Sequence, residues 1–422
     1  MRLGPSRPAA RDFAGTDYAP RPGSRTGGGY DGRMEILVVS DDGAFLSLRQ
    51  EWNDLLAASG QDGPFLRHEW LWAWWSSFKT AEDRLRVITC RDGSDAALVG
   101  ALPAYETRVG RFVGARAVRL LGDAHVGSVG LGAFARPDAE AQVAAQLVAR
   151  LRGDDGWDVL DFRALDAEGP FFEGVDRPPD SGVVRVRAGV EICPQVALPS
   201  SWDSYVSKVL GSRSRRAVRQ SRREAEAHGA RLEIIDDTGQ LPRALEDLLR
   251  LFECRMKRVV DPCFEVSSEF REFVSRMLPA LLAEGRLRLA FLTIDGGRAA
   301  VEYGFRYRDT LYGLMSGFEE RWARQAVYKA LFSHVVEGAI GEGCSALDLG
   351  LGDQEHKRVW GVSGVRRFSD VSVYASSAAG RARRAEDRFV EWAEKVVLAS
   401  PDWLKRPLTR AGKAARRAGR RQ

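Results

Sequence analysis

Cysteine and histidine are scarce in this sequence, and neither is arranged for a redox or metal function. Five cysteines are scattered among 422 residues without a Cys-x-x-Cys pair, and the five histidines have no paired spacing. Scattered cysteines in an odd number provide neither a disulfide framework nor a metal site. We therefore expect a protein of the reducing cytoplasm that uses no metal.

Long apolar runs and the common catalytic signatures are also missing. No apolar run reaches the ~18 residues that would span a bilayer. The sequence has no GxxxxGK[ST] phosphate loop, no strand-borne GxGxxG, no HExxH and no GxSxG. Metal catalysis and hydrolysis by a covalent nucleophile therefore have no support. Residues 1–33 are rich in Gly, Pro and Arg and have no apolar core for export, so we expect a disordered extension.

Basic charge is concentrated in two segments of the chain. The net charge is +5, and only eight of the 63 basic residues are lysines. An Arg-rich stretch runs from Lys208 to Arg223 before any acid, and residues 405–422 contain eight Lys and Arg and no acid. Solvated surfaces explain both segments. The alternative is contact with an anionic partner, namely the phosphates of a ligand, RNA or a membrane surface.

The same order of patterns occurs twice along the chain. "RLRVITCRDG" from Arg84 and "RLRLAFLTIDGG" from Arg286 alternate charged and apolar residues and then turn at Asp-Gly, which is typical of a hairpin. Each is followed later by a helical period, a glycine and a strand with a central aspartate, Asp161 or Asp348. The repetition predicts two tandem α/β domains. The predicted segments are an extension (1–33), an N-terminal domain (34–197), a C-terminal catalytic domain (198–375) and a basic helical tail (376–422).

Two further segments are rich in aromatic residues. "LRHEWLWAWWSSF" places four tryptophans in one predicted helix, which we expect to pack in the core or between domains rather than to stack on a ligand. In the tail, "AEDRFVEWAEKVVLAS" predicts an amphipathic helix that docks on the body or lies on a membrane surface. Its apolar side consists of Phe389, Val390, Trp392, Ala393, Val396 and Val397.

One reaction needs none of the missing devices, namely direct attack of an amine on a thioester. It requires a deprotonated amine and hydrogen bonds to the developing oxyanion. A strand that ends beside a helix N-terminus supplies backbone N–H groups for the oxyanion and for a pyrophosphate. The second domain has this layout, because a predicted hairpin of residues 298–307 and 311–318 leads through a short loop into a helix from about Arg324.

Several motifs, in a fixed order, carry a resemblance to a known family. They are the W-x-x-Y helix start at Trp202 and Tyr205 with its Arg-rich continuation, "LYGLMSGF", and G-x-x-x-x-D-L-G-x-G-D…K-x-x-W-G from Gly343 to Gly361. The first domain adds "EWNDLLAASGQDGPFLRHEWLWAWW". By these motifs residues 45–375 resemble the GNAT superfamily of N-acyltransferases. The branch is similar to the CelD-type acetyltransferases of polysaccharide loci and the Fem-type aminoacyl transferases.

The resemblance implies an α/β fold of two tandem GNAT-like domains, each with a mixed, largely antiparallel central sheet flanked by helices. It implies acetyl-CoA or another acyl-CoA as co-substrate. The acceptor would be an amine of a small polar molecule or of an envelope or polysaccharide precursor. The partners we expect are these substrates and, through the basic tail, the anionic inner face of the membrane, with no DNA.

Two other functions stay open. The first is tRNA-dependent aminoacyl transfer of the Fem type, for which the Arg-rich helix would be the binding feature. It is less favoured, because the second domain lacks the long charged helical hairpin of many Fem-type relatives. The second is a non-catalytic scaffold that keeps the fold and binds an anionic polymer.

The resemblance also indicates which residues would bind the donor. The family's pyrophosphate loop, Q/R-x-x-G-x-G/A, is matched best by residues 321–326, with Arg324 where the first glycine stands. Glycine lets the backbone approach phosphate, so Arg324 would have to compensate by charge. The predicted donor-binding residues are Leu314, Met315, Gly317, Arg321, Arg324, Gln325 and Ala326.

Three residues are the candidates for catalysis. Glu302 interrupts an apolar strand, so it is either a base acting through water or the salt-bridge partner of Arg306 on the same face. His356 stands where the branch usually has Tyr, and an ordinary pKa of ~6.5 suits proton transfer. Lys357 holds an anionic group of the substrate or is a solvated loop lysine. Asp348 is expected to cap or anchor a helix.

The strand at 346–350 is expected to lie beside the strand at 311–318. Donor and acceptor would then meet where the two strands splay, and the first domain would wall the acceptor cleft. Tyr312 and Tyr328 are expected to pack rather than to act as acids.

Overall fold

The structure, a computed structural model, describes residues 33–110, 114–123, 125–153, 156–166, 169–176, 183–323 and 327–399. The predicted extension before Arg33 and the basic segment from Lys405 lie outside these ranges. The same is true of Arg324, Gln325 and Ala326 in the predicted donor loop.

The first half of the chain alternates helices with short strands. Its elements are β1 (Met34–Val39), α1 (Asp42–Ser47), α2 (Arg49–Ala58), α3 (His68–Phe78), β2 (Arg84–Leu85), β3 (Val87–Asp92), β4 (Leu98–Leu102), β5 (Ala104–Val109), β6 (Ala115–Leu120), β7 (Phe134–Ala135), α4 (Glu140–Arg152), β8 (Val159–Asp166), α5 (Pro170–Asp176) and β9 (Val183–Ala197).

The second half has longer helices and a longer hairpin. Its elements are α6 (Trp202–Ser204), α7 (Ser212–Ala227), β10 (Arg231–Ile234), α8 (Leu241–Val259), α9 (Ser268–Ala283), β11 (Leu287–Ile294), β12 (Gly297–Tyr307), β13 (Thr310–Phe318), α10 (Val327–Gly341), β14 (Ala346–Asp348), α11 (Glu355–Arg358), β15 (Gly364–Tyr374) and α12 (Ala378–Ala399). None of the helices in the described ranges is long and apolar enough to cross a bilayer.

Most of the described strands belong to one sheet that runs through both halves. Its order is β10-β11-β12-β13-β14-β9-β15-β8-β6-β5-β2, and β1, β3, β4 and β7 form a separate sheet. The pairs β6–β8 and β13–β14 are parallel, and the other neighbours in the large sheet are antiparallel. Each half thus has one parallel pair whose strands are linked through a helix, α4 or α10.

The two repeated sequence patterns each form an antiparallel strand pair, but the first pair lies in the smaller sheet and the second in the large one. Asp295 and Gly296 both have positive φ, at 51° and 73°, as a two-residue hairpin turn requires, and they join β11 to β12. In the first half β3 and β4 form the corresponding antiparallel pair. The helix–strand units that follow are α4 with β8 and α10 with β14.

The last strand of each half lies beside the other half. Strand β9 pairs with β14, where Leu347 faces Val196, and pairs along its length with β15. Strand β15 also pairs with β8, where Tyr374 faces Val159. The boundary between residues 197 and 198 stays a prediction, and a cut there would take β9 from its place beside β14.

The tryptophan-rich helix α3 packs between the two halves, which confirms the packing interpretation. Trp70, Trp74 and Trp75 are each at most 3% exposed. The ring of Trp70 lies 4.9 Å from that of Phe273 and 5.8 Å from that of Phe305, both in the second half. These aromatic contacts bury large apolar surfaces and hold the halves together.

Candidate active site

Strands β13 and β14 lie side by side over three residue pairs and then diverge. The pairing ends at Tyr312 and Asp348, whereas β13 continues to Phe318. The predicted position of these strands side by side is therefore confirmed. The β12–β13 register shifts between Tyr303 and Gly304, close to the point of divergence. Such a bulge bends the strand and strengthens its twist, which accounts for the splay.

The turn after β14 is built around a glycine and a buried aspartate. Gly350 has a φ of +70°, and a Cβ there would lie 2.7 Å from the carbonyl oxygen of Gly313, so only glycine fits. The carboxylate of Asp348 accepts hydrogen bonds from the Gly350 N–H at 2.7 Å and from Gln195 Nε2 at 2.6 Å. The expectation that Asp348 caps or anchors a helix is wrong, because it fixes this turn and ties β14 to β9.

Glu302 is a buried carboxyl at the splay. It is 5% exposed, and its Oε2 accepts a hydrogen bond from the Tyr328 hydroxyl at 2.9 Å. Burial raises the pKa of Glu302 to about 8, against the opposing effects of the Tyr328 hydrogen bond and of the charges on Arg255 and Lys357. The alternative partner, Arg306, donates instead to the Arg308 carbonyl at 2.8 Å. A carboxyl with this pKa can accept a proton from an ammonium ion near neutral pH.

The polar network around Glu302 extends to helix α8. Ser316 faces Glu302 across the β12–β13 ladder. Arg255 of α8 donates to the hydroxyl of Ser316 and, at 3.3 Å, to its carbonyl oxygen. Burial raises the pKa of Tyr328 well above its ordinary value. The tyrosine therefore keeps its proton and acts as a hydrogen-bond donor to the carboxylate.

Lys357 closes the loop that follows β14. Its Nζ donates to the carbonyl oxygens of Gly350 at 2.9 Å and Leu351 at 2.5 Å. Burial lowers the pKa of Lys357 to about 8, and the nearby charge of Arg255 acts in the same direction. The description of Lys357 as a solvated loop lysine is therefore wrong. Its contact with a substrate stays a prediction.

His356 lies on the short helix α11 with part of its ring open to solvent. Partial burial, together with the positive charges of Arg255 and Lys357, lowers the pKa of His356 to about 4. This pKa lies below the ordinary value expected from the sequence, a direction that favours the neutral ring. A neutral imidazole accepts or relays a proton, but it is a poor source of one.

The three predicted catalytic residues thus share one electrostatic neighbourhood. The charge of Lys357 acts on both Glu302 and His356, and the charge of Arg255 acts on all three groups. Their individual roles in catalysis stay predictions.

The first half of the chain contacts this region from one side. The ring of Phe65 lies 6.0 Å from that of Tyr312, at the end of the β13–β14 pairing. A Cβ at Gly127 would lie 3.7 Å from Leu351 Cδ1, so the Gly-rich loop of residues 125–134 lies against the turn after β14. These contacts favour the expectation that the first half walls the site.

The predicted donor-binding residues fall into two environments. Leu314 is half-buried at the splay, whereas Met315 and Gly317 are buried. A Cβ on Gly317 would lie 2.3 Å from the Leu251 carbonyl oxygen, so this glycine admits the backbone of α8. Arg321 is exposed and donates to Glu319 at 2.6 Å. Whether these residues contact a donor stays a prediction.

The Arg-rich helix α7 has two partly buried arginines, Arg215 and Arg222, and several exposed ones. Arg222 donates to Ser333 at 2.7 Å, pairs with Glu337 at 2.8 Å, and lies 4.5 Å from the ring centre of Trp202. It therefore fastens α7 to α10. Its exposed neighbours, which make no ion pair within the described part of the chain, are Arg213, Arg216, Arg219 and Arg223.

Sequence reasoning missed Arg255 and Ser316, and it expected Tyr328 only to pack, whereas its hydroxyl donates to Glu302. A signal existed for Arg255, because it lies four residues after Leu251 on the buried side of an amphipathic helix. A charged residue at such a position needs a buried polar partner. Tyr328 and Ser316 gave no comparable signal, since their contact depends on how α10 lies on β12 and β13.

Comparisons with known proteins agree with this architecture. Residues 212–358 match the family model described as "Acetyltransferase (GNAT) domain". The crystal structure of FemX aligns with 83% of this chain and 99% of its own, with a TM-score of 0.55 and 10% identity. A conserved protein of unknown function from Bacteroides thetaiotaomicron VPI-5482 aligns with 80% of this chain and 100% of its own, with a TM-score of 0.51 and 10% identity. A search of curated proteins found no match.

At these identities the likeness to solved structures establishes the fold. Residues 212–358 match the model of a GNAT acetyltransferase domain, and the chain as a whole shares its two-part fold with FemX. The predicted fold class, two tandem GNAT-like domains with largely antiparallel sheets flanked by helices, is confirmed.

Proposed function

We propose that this protein transfers an acyl group from acyl-CoA to an amine of a small polar, envelope-related or polysaccharide-related acceptor in the cytoplasm. The observation that carries the proposal is the position of Glu302. It is a buried carboxyl with a pKa of about 8, at the point where two parallel strands of a GNAT domain diverge. A reaction that must deprotonate an ammonium ion near neutral pH needs a base of this strength.

The proposed reaction proceeds by direct attack. The acceptor binds as an ammonium ion and gives one proton, through water, to ionised Glu302. Its nitrogen attacks the thioester carbonyl carbon, so that the C–N bond forms and the C–S bond breaks. The sulfur leaves with the bonding electrons as a thiolate, which takes the second proton of the nitrogen through solvent. The products are an amide and the CoA thiol.

The donor would bind along the edge of β13 that the splay exposes. Beyond Tyr312 this edge is not paired with β14, so backbone groups of β13 are available to an extended ligand. Arg255 contacts the same stretch at Ser316 and supplies a positive charge close to where an oxyanion would develop. Arg321 would contribute charge for the phosphates.

Aminoacyl transfer from a charged tRNA is the second candidate, because α7 exposes arginines that make no ion pair among the described residues. A row of unpaired arginines on one helix suits a phosphate backbone.

The proposal is tested with purified full-length protein, a panel of acyl-CoAs and a panel of amino sugars and other polar amines. Release of free CoA thiol that depends on both substrates supports it. Glu302→Gln should abolish most of the release, whereas Glu82→Gln, which changes an exposed glutamate of the first half, should not. Thermal stabilisation by charged tRNA but by no acyl-CoA would favour the second candidate. Binding of a polymer without any turnover would favour a scaffold.

A further inference from the structure

Helix α12 exposes a row of large apolar side chains. Phe389, Val390 and Trp392 are 62%, 48% and 60% exposed, and the two aromatic rings lie 5.8 Å apart. Large apolar groups grouped on one surface mark a site of contact with another molecule or a membrane. In the sequence, Ala393, Val396 and Val397 repeat the apolar spacing of one helix side over the next turn.

The opposite side of α12 is fixed to the body of the protein. Asp387 accepts hydrogen bonds from the Tyr374 hydroxyl at 2.9 Å and from Arg383 at 2.6 Å. Near the start of the helix, a Cβ on Gly380 would lie 2.4 Å from the Ala375 carbonyl oxygen, so the backbones are in close contact there. Because these contacts set the rotation of the helix, the apolar row points away from the body. The sequence offered two alternatives for this helix, docking on the body or lying on a membrane surface. Docking on the body explains the contacts of the polar side but not the exposed apolar row.

One flank of the apolar row is basic. Arg388, next to Phe389, is exposed and makes no ion pair within the described ranges, and Arg384 lies one turn before it on the same flank. After the helix, residues 405–422 add eight Lys and Arg and no acid. An apolar row with aromatic residues, a basic flank and a basic continuation is complementary to a surface that has an apolar interior and an anionic face.

We propose that α12 lies in the interface of an anionic membrane, with Phe389 and Trp392 inserted among the lipids and the basic residues against the headgroups. A second copy of the chain fits less well, because the two basic tails would repel each other. The proposal is independent of the transferase function, since the helix packs on β15 and β6.

The test is co-sedimentation of the full-length chain with vesicles of 30% phosphatidylglycerol in phosphatidylcholine. Phe389→Ala/Trp392→Ala should weaken binding by about tenfold to a hundredfold, because burial of one large apolar side chain is worth roughly a factor of ten or more. The matched control is Ile234→Ala/Val260→Ala, which removes apolar groups that are 58% and 56% exposed elsewhere on the protein. It should bind like the wild type.

The electrostatic part is tested separately. Four changes in the basic segment, Arg416→Gln, Arg417→Gln, Arg420→Gln and Arg421→Gln, should each weaken binding by up to about fivefold at low salt. The effect should shrink in 1 M salt, where charges are screened within about 3 Å.

Three results would overturn the proposal. The first is equal sedimentation of wild type and Phe389→Ala/Trp392→Ala with the anionic vesicles. The second is equal binding of the wild type to vesicles of pure phosphatidylcholine. The third is a lipid-free dimer that the double variant dissociates, which would make the row an interface between copies. Unchanged circular dichroism and melting temperature of each variant exclude misfolding as the cause.

Discussion

Replacing Glu302 by glutamine should have opposite effects on activity and on stability. Glutamine keeps the shape of the side chain and can still accept the Tyr328 hydrogen bond, but it cannot take up a proton. If Glu302 is the base, turnover at pH 7 should fall by ~10²–10⁴-fold, the usual cost of losing positioned acid–base help. Part of the loss should be recovered at high pH, where the acceptor amine loses its proton unaided.

The pKa of Glu302 also sets the pH dependence of the wild type. With a pKa of about 8, roughly one tenth of the carboxyl is ionised at pH 7 and nine tenths at pH 9. Turnover limited by this base should therefore rise about tenfold over that interval. The glutamine variant should lack this rise and show only the ionisation of the substrate.

Stability should change in the other direction. The folded pKa of Glu302 lies above the ordinary value of 4.5, so the native state holds a proton that the unfolded chain releases. The contribution of the neutral carboxyl is fully present below about pH 4.5 and is lost as the pH rises to about 8. A shift of this size corresponds to at most about 5 kcal/mol. Glu302→Gln should thus be more stable than the wild type at pH 9 and nearly equal at pH 4.

The two effects are measured by initial rates of CoA release and by urea denaturation, each between pH 4 and pH 9.5. Wild-type turnover in the variant would refute the role of Glu302 as base. Lower stability of the variant than of the wild type at pH 9 would refute the argument that burial raises the pKa of Glu302. At that pH the wild type contains a buried charge, whereas the glutamine is neutral and should be less costly to bury.

Three single substitutions near Glu302 and one set of charge substitutions on α7 provide further tests. Tyr328→Phe removes a hydrogen bond that lowers the pKa of Glu302, so the midpoint of the pH–rate profile should move to higher pH; an unchanged midpoint would contradict the contact. Lys357→Ala should lower the melting temperature, because it frees the turn after β14, and should raise the acceptor KM if the turn lines the acceptor site, with donor affinity unchanged in calorimetry. Gly317→Ala should destabilise the protein by ~1–3 kcal/mol in urea denaturation, because the added methyl meets the backbone of α8. Changing the exposed arginines of α7 to glutamine should leave CoA-dependent turnover intact but, if tRNA is the donor, should reduce the slope of log affinity against log salt by about 0.7–0.9 per lost phosphate contact. The set is Arg216, Arg219 and Arg223.

The local parts of the fold could be predicted from the sequence. The Asp-Gly turn between β11 and β12 follows from the positive φ values that such a turn requires. The position of β14 beside β13 follows from the order hairpin, helix, strand. Glu302 was identifiable because a charge within an apolar strand is unusual.

Features that depend on distant contacts could not be predicted. The hydrogen-bond partner of Glu302 is Tyr328 rather than Arg306, because α10 lies over β12. No local sequence pattern indicates this packing. The pKa of His356 is low because Arg255, a hundred residues earlier in the chain, lies close to it. Arg222 has the same spacing as its exposed neighbours on α7, yet it pairs with Glu337 of α10.

The pairing of β15, from the second half, with β8, from the first half, has a consequence for the synthesis of the protein. The neighbour that covers β8 is β15, and more than 160 residues separate the end of β9 at Ala197 from the start of β15 at Gly364. At about 5–20 residues per second, a ribosome needs roughly 10–30 s to supply that strand. During this interval the edge of β8 is open to pairing with other chains. We therefore expect the nascent first half to be most prone to misassembly before the second half has emerged and β15 completes this part of the sheet.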